Sequence, residues 1–167
     1  RNIPIFYQVR MPLSVKLRAV IVLAHGLGEH SDRYHHLYGR LLSEGYGFYA
    51  LDHRGFGRSG GSRGHVVKFE DYLKDLKTLI RLGKKNHPDV PLVLYGHSMG
   101  ALISLACAIS RGEPIDLLVA ASPAIAVPGH TGGRYLMQSV ALLAKVFPSL
   151  SIDSKGDPIC VTRDPDE

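Results

Sequence analysis

The sequence predicts an α/β protein built on a mostly parallel, doubly wound sheet. Four short apolar segments recur along the chain without alternation of polar and apolar residues, which is typical of strands buried on both faces. Segments with helical periodicity lie between them, and this order favours parallel strands joined by crossover helices. A length of 167 residues with 45% hydrophobic content suits one globular domain with a substantial core.

The predicted strands lie at residues 19–24, 48–51, 92–95 and 117–121. Residues 3–9 are expected to add an edge hairpin, although Pro4 weakens that assignment because proline cannot donate to a strand ladder. We find no internal repeat and no Gly/Ser linker, so the first 124 residues read as one unit.

Three helices are predicted between these strands. The first carries an apolar stripe and is expected to start at an N-cap, Ser31 or Asp32, and to stop at Gly45. The second has a sharper stripe with i, i+3, i+4 and i+7 spacing. The third should span residues 98–111 and end before Gly112. The predicted inward residues are, in order, Tyr34, Leu37, Tyr38, Leu41 and Leu42; Phe69, Tyr72, Leu73, Leu76, Leu79 and Ile80; and Leu102, Leu105, Ala106 and Ile109.

Composition and charge argue against nucleic-acid binding, a disulfide framework and a metal site. The net charge is +5, but the basic residues are scattered, so a solvated surface is favoured and no nucleic-acid partner is predicted. The two cysteines, Cys107 and Cys160, give neither a disulfide framework nor a metal motif, and we predict no metal and no cofactor. With no signal peptide or membrane-spanning segment visible, the expected location is cytoplasmic or peripheral to a membrane.

A second region is predicted after the core, which covers residues 1–124. Residues 125–167 would begin a cap, and residues 135–147 form a segment that is apolar almost all round. That segment is either a helix packed on the core's own helices or a lid that meets apolar substrate and touches lipid. In the lid interpretation the substrate contacts would come from Leu136, Val140, Leu143 and Phe147.

The pentapeptide at residues 96–100, Gly-His-Ser-Met-Gly, has the G-x-S-x-G pattern. It directly follows a predicted buried strand and opens a predicted helix, which is the context of a nucleophile elbow. Ser98 is therefore the candidate nucleophile, lifted above the strand ends at a helix N-terminus. The alternative is a serine that only N-caps an ordinary helix.

An acyl-transfer site also needs donors for an oxyanion. One would be the backbone N–H of Met99, the residue after the nucleophile. The other is assigned to Leu27, because the glycines at positions 26 and 28 let the backbone turn after the first parallel strand. A phosphate-binding turn is the alternative, but neither G-x-G-x-x-G nor G-x-x-x-x-G-K-[ST] occurs there.

Several segments together resemble monoglyceride lipases and related lysophospholipases. They are residues 25–34 (His-Gly-Leu-Gly-Glu-His-Ser-Asp-Arg-Tyr), residues 51–59 (Leu-Asp-His-Arg-Gly-Phe-Gly-Arg-Ser), residues 63–66 (Arg-Gly-His-Val) with Phe69 and Asp75, and residues 96–100. The resemblance implies an α/β-hydrolase fold with a helical cap over an apolar acyl channel. It also implies that Ser98 is the nucleophile, that Leu27 and Met99 are the donors, and that the substrate is a small lipid ester.

Asp52 and Arg54 follow a predicted strand at the same end of the sheet as the elbow. In this fold the order of the triad is nucleophile, acid, then histidine, and Asp52 comes too early. We therefore interpret both residues as groups that fix their loop.

The rest of a catalytic triad is missing from the sequence. One histidine, His130, follows Ser98 in the sequence, and it lies in the segment that leads into the cap. The acids between Ser98 and His130 are Glu113 and Asp116, and both precede a predicted strand. They should lie at the opposite end of the sheet from the elbow. We expect the chain to be incomplete at its C-terminus, with the missing acid and histidine on later residues or on a second polypeptide.

Two hypotheses follow. The first is a serine esterase that cleaves monoacylglycerol-like or lysophospholipid-like esters through an acyl-enzyme on Ser98. The second is a catalytically incomplete fragment or pseudo-hydrolase that binds acyl chains without turnover. Within the first, thioesters and peptides stay open as substrates, since an elbow fixes the nucleophile and not the leaving group.

Overall fold

The structure, a computed structural model, describes residues 3–124. One five-stranded sheet has the order β1-β3-β2-β4-β5, in which β1 is antiparallel to β3 and the other neighbouring strands are parallel. The strands are β1 (Tyr7–Arg10), β2 (Ala19–Ala24), β3 (Tyr46–Leu51), β4 (Leu92–His97) and β5 (Leu117–Ala121). The mostly parallel sheet is confirmed.

Helices connect the parallel strands. A 3₁₀ turn (Ser31–Tyr34) leads into α1 (His35–Leu41) between β2 and β3, α2 (Phe69–Asn86) joins β3 to β4, and α3 (Met99–Ile109) joins β4 to β5. No helix among residues 3–124 has both the length and the apolar character that crossing a bilayer requires.

The central strand β2 is buried on both faces, as its apolar run predicts. Alternate side chains point to opposite sides of a strand, so Val20 and Val22 pack with residues of α2 and α3. Ile21 and Leu23 pack on the other side, against the aromatic residues of the 3₁₀ turn and α1. Helices therefore cover both faces, and the doubly wound arrangement is confirmed.

The N-terminal prediction of a hairpin is wrong. Only β1 forms there, and it pairs with β3 rather than with a strand of its own segment. The cap prediction for the first helix is also wrong, because the residue before the 3₁₀ turn is His30 and it makes no side-chain capping bond. Ser31 instead lies inside the turn, where its backbone N–H donates to Asp52 at 2.8 Å.

The buried face of α3 also differs from the prediction. Ala101, Ile103, Ser104 and Cys107 are buried, whereas Ile109 is 78% exposed. Because α3 is apolar on nearly every side, periodicity does not single out the face that meets the sheet. The buried face includes the small residues Ala101, Ser104 and Cys107, which let the helix approach the strands closely.

Burial on both faces fails for β5. Leu117 and Val119 are 57% and 39% exposed, because β5 forms an edge of the described sheet. Strands β3 and β4 begin and end within two residues of the predicted bounds.

The order of the strands places the candidate site. The chain passes from β2 to β3 on one side and then crosses to β4 on the other side of β2. The carboxyl ends of β2 and β4 therefore meet at a topological switch point, which is where ligands bind in open α/β sheets. Both predicted loops of the site, residues 25–28 and residues 96–100, lie at this point.

Candidate active site

Ser98 links β4 directly to α3 in a strained conformation. Its φ is 52° and its ψ is −115°, values that a residue other than glycine seldom adopts. Its N–H donates to the Ala121 carbonyl at 2.9 Å, and its own carbonyl accepts from Leu102 at 3.1 Å. The Ser98 side chain makes no capping bond to α3, so the N-cap alternative does not describe this serine.

The two glycines of the elbow are required by close packing. A Cβ at Gly96 would lie 2.6 Å from the Ala101 Cα, inside the first turn of α3. A Cβ at Gly100 would meet the backbone of Ala24 and the His25 carbonyl oxygen, at the end of β2. The elbow is thus pressed between its own helix and the neighbouring strand, and no side chain fits at either position.

The loop after β2 packs against the elbow. Ala24 and Gly96 are partners in the parallel ladder, and a Cβ at Gly26 would lie 3.3 Å from the Cβ of Ser98. Leu27 is next in the turn, and the residue is 68% exposed. Neither the Leu27 N–H nor the Met99 N–H donates to another residue within 3–124. Among the described residues, nothing competes with a ligand for the two predicted donors.

Two histidines are buried behind this loop. The His25 Nε2 atom accepts from the His53 backbone N–H at 2.9 Å, and its Nδ1 atom lies 2.7 Å from the Gly26 carbonyl oxygen. The His53 Nε2 atom lies 3.1 Å from the His25 carbonyl oxygen. Burial lowers the pKa of both rings, that of His53 to about 3, so both are neutral at pH 7.

A carboxylate closes the loop from its other end. Glu29 Oε1 accepts from the Gly26 N–H at 2.8 Å and from the Tyr34 hydroxyl at 3.1 Å. His97 of the elbow approaches the same oxygen, with its Nε2 atom at 4.0 Å. Glu29 is not among the site residues that the sequence motifs predict. The available signal was an acidic residue three positions after a glycine in a tight turn.

Asp52 and Arg54 fix their loop, as predicted. The Asp52 carboxylate accepts backbone N–H bonds from Ser31 and Arg58, both at 2.8 Å. Burial opposes the charge on Asp52, but these hydrogen bonds outweigh it and lower its pKa. Arg54 makes two hydrogen bonds to Asp75 of α2, at 2.7 and 2.8 Å.

Among residues 3–124, the acids that follow Ser98 are Glu113 and Asp116, and both precede β5 at the opposite end of the sheet, as predicted. Asp116 Oδ2 accepts from the Leu92 N–H at 2.7 Å, which places it at the start of β4 while Ser98 follows the end of β4. Glu113 pairs with Arg81 of α2. His130 and the predicted cap contacts Leu136, Val140, Leu143 and Phe147 lie outside the described residues.

Residues 3–124 contain no group of three His, Cys, Asp or Glu side chains arranged to hold a metal ion. What the arrangement offers is a serine on a strained turn with two backbone N–H groups beside it. Such groups can hold a carbonyl oxygen while the serine oxygen meets the carbonyl carbon.

Several known proteins are similar to this chain in sequence and fold. A monoacylglycerol lipase from Mycolicibacterium smegmatis is 38% identical over 99% of this chain and 58% of its own length. The solved structure of a Paleococcus ferrophilus monoacylglycerol lipase has a TM-score of 0.79 at 33% identity, covering 97% of this chain and 59% of that one. A soluble variant of Saccharomyces cerevisiae monoglyceride lipase, solved with a substrate analog, has a TM-score of 0.77 at 27% identity, covering 94% and 54%.

The chain spans little more than half the length of these relatives. The model of the family described as serine aminopeptidase, S33, matches residues 15–167, which is most of the chain. The chain therefore belongs to this family and has the α/β-hydrolase fold.

Proposed function

We propose that the protein is a serine hydrolase that cleaves carboxylic esters of the monoacylglycerol or lysophospholipid type. The observation that carries the proposal is the strained Ser98, held at the switch point beside Leu27, whose N–H donates to no residue among 3–124. An inert acyl-binding protein has no need of a strained serine at this position.

In the proposed reaction the Ser98 Oγ atom attacks the ester carbonyl carbon and gives its proton to a histidine base. The carbonyl oxygen becomes an oxyanion, which accepts hydrogen bonds from the N–H groups of Leu27 and Met99. When the C–O bond of the ester breaks, the base returns the proton to the leaving alcohol. Water then attacks the acyl-enzyme, releases the fatty acid and restores the serine.

The base and the acid that orients it would come from outside residues 3–124. The comparisons give no support to a second polypeptide, so we assign these groups to residues that correspond to later segments of the longer relatives. In this view the core, residues 1–124, supplies the nucleophile and the oxyanion donors, and the cap, from residue 125, supplies the acyl-chain contacts.

The substrate class rests on the relatives. The family description names a peptidase, whereas the similar proteins reported above are named as lipases that act on monoacylglycerols. We therefore expect esters to be cleaved faster than aminoacyl amides. The elbow itself does not discriminate between these leaving groups.

Ser98→Ala tests the proposal, because it removes the nucleophile and leaves the fold intact. We expect it to abolish hydrolysis of a monoacylglycerol and labelling by a fluorophosphonate probe, measured by fatty-acid release and by intact mass. Ser104→Ala is the matched control, since this buried serine of α3 has no hydrogen-bond partner among the described residues.

Hydrolysis by Ser98→Ala at the wild-type rate would refute the assignment of the nucleophile. A wild-type protein that binds the acyl chain but neither hydrolyses the ester nor takes the label would favour the alternative, a binding protein without turnover.

A further inference from the structure

Both peptide groups that contain Gly26 are fixed by side chains. The peptide before it carries the Gly26 N–H, which Glu29 holds, and the peptide after it carries the Gly26 carbonyl, which His25 holds. The second of these peptides also carries the N–H of Leu27. The direction of that N–H is therefore set by what holds the Gly26 carbonyl.

The tautomer of His25 makes this hold directional. Its Nε2 atom accepts from the backbone N–H of His53, so the ring proton must sit on Nδ1, which then donates to the Gly26 carbonyl oxygen at 2.7 Å. In a trans peptide the C=O and the following N–H point in opposite directions. The described residues contain no cis peptide, so the Leu27 N–H points away from the His25 ring.

Glu29 is itself held in place. Its carboxylate is only 17% exposed, and the hydroxyl of Tyr34 donates to the same oxygen that accepts from Gly26. Burial and the neighbouring Glu29 raise the pKa of Tyr34, which keeps the hydroxyl proton available for this bond. A hydrogen bond to a charged acceptor is stronger than a neutral one, so the first peptide is firmly anchored.

We infer that His25 and Glu29 are positioning residues that clamp Gly26 from both sides and aim the Leu27 N–H at the oxyanion. The inference rests on the proposed function, in which Leu27 is an oxyanion donor. The clamp acts in the transition state, because a ground-state carbonyl carries less charge for this donor to stabilise.

Two substitutions of His25 separate orientation from packing. His25→Asn can place an N–H near the position of Nδ1, whereas His25→Gln can place an acceptor near Nε2 but lacks the donor to Gly26. We expect His25→Gln to lower kcat about tenfold or more with KM within about twofold. We expect His25→Asn to keep most of the activity. A merely structural role of His25 needs no donor to Gly26, so it would not make His25→Asn more active than His25→Gln.

Glu29 is tested in parallel. Glu29→Leu removes the acceptor and should lower kcat, while Glu29→Gln keeps a neutral acceptor and should restore part of it. Glu113→Gln is the control, because it neutralises another mostly buried carboxylate, 2% exposed against 17% for Glu29, that precedes β5 at the opposite end of the sheet. Affinity for a trifluoromethyl ketone, whose adduct with Ser98 carries an oxyanion, should fall in parallel with kcat.

A second measurement judges the clamp without turnover. Hydrogen exchange of the Gly26 amide, followed by NMR, should be slow in the wild type and about tenfold faster or more in Glu29→Leu. If the wild type hydrolyses no ester, the proposed function fails, and this exchange rate alone decides whether the clamp exists. Unchanged exchange in Glu29→Leu, or equal kcat for His25→Gln and His25→Asn in an active enzyme, would overturn the inference.

Discussion

At the scale of single residues, the candidate site depends on where side chains are absent. Gly100 packs its Cα against the carbonyl groups that end β2, and Gly96 packs against the first turn of α3. These close approaches leave Ser98 in a region of φ and ψ that costs about 1–3 kcal/mol. Packing around the elbow has to overcome that cost, so the position of the serine is set by its neighbours.

Gly100→Ala should therefore be strongly destabilising. The new methyl group would collide with backbone atoms of Ala24 and His25, which cannot move without breaking the ladder between β2 and β4. We expect the free energy of unfolding, measured by urea titration, to fall by about 3 kcal/mol. Gly39→Ala is the control: it lies in α1 with open space around it, and should stabilise by about 0.5–1 kcal/mol. Equal effects of the two substitutions would contradict this account.

Sequence reasoning finds some of these residues and misses others. Gly96, Ser98 and Gly100 are adjacent along the chain, so their pattern is legible in the sequence. The contact of His25 with His53 joins residues 28 positions apart, and only the pairing of strands brings them together. Glu29 is close to Gly26 in sequence, but the direction of its carboxylate depends on Tyr34.

At the scale of elements, one ion pair ties the loop after β3 to α2. Arg54 is 16% exposed and Asp75 is 11% exposed, and two parallel hydrogen bonds join them. Arg54→Lys keeps the charge but loses the two-pronged geometry, so we expect a loss of about 1–2 kcal/mol in unfolding free energy. Lys74→Gln, which removes an exposed partner of Asp71, should change nothing measurable. A loss in Lys74→Gln as large as that in Arg54→Lys would show that charge, not geometry, matters.

Elements were easier to predict than the faces they bury. In the strongly periodic α2 most of the predicted inward stripe is buried, because the charged residues leave only one side to pack. Phe69, at the first position of the helix, is the exception and is 37% exposed. In α3 apolar residues surround the helix, so the sequence pattern does not indicate which face packs on the sheet. The predicted inward face of α3 is therefore wrong. Residues 135–147 are also apolar almost all round, so the sequence does not indicate which face of that predicted helix would be buried.

The lid interpretation of residues 135–147 has a direct test. Leu143→Asp places a charge on the apolar side of the predicted helix, and should raise KM for long-chain esters more than for short ones. Gln138→Asp adds the same charge on the side that Gln138 and Lys145 share at i, i+7 spacing, and should change KM little. If Leu143→Asp affects both chain lengths equally, the segment does not contact the acyl chain.

At the scale of the whole molecule, stability should depend on pH through the two buried histidines. Burial lowers the pKa of His53 to about 3 and also lowers that of His25, whereas both have values near about 6.5 in the unfolded chain. The nearby carboxylate of Asp52 attracts the proton but does not reverse the shift. Below about pH 6.5 the unfolded state therefore binds more protons than the folded state.

The sign of the effect follows from this difference in bound protons. Stability is fully present above about pH 6.5 and is lost as the pH falls, by about 2 kcal/mol for His53 between pH 7 and pH 5. Unfolding free energies from urea titrations across this range should show the slope. His53→Gln should reduce the slope by up to one proton, while His36→Gln, at an exposed position of α1, serves as the control. A stability that does not change from pH 7 to pH 5 would mean that the folded protein accommodates both charges, which is incompatible with His25 Nε2 accepting the hydrogen bond of the His53 N–H.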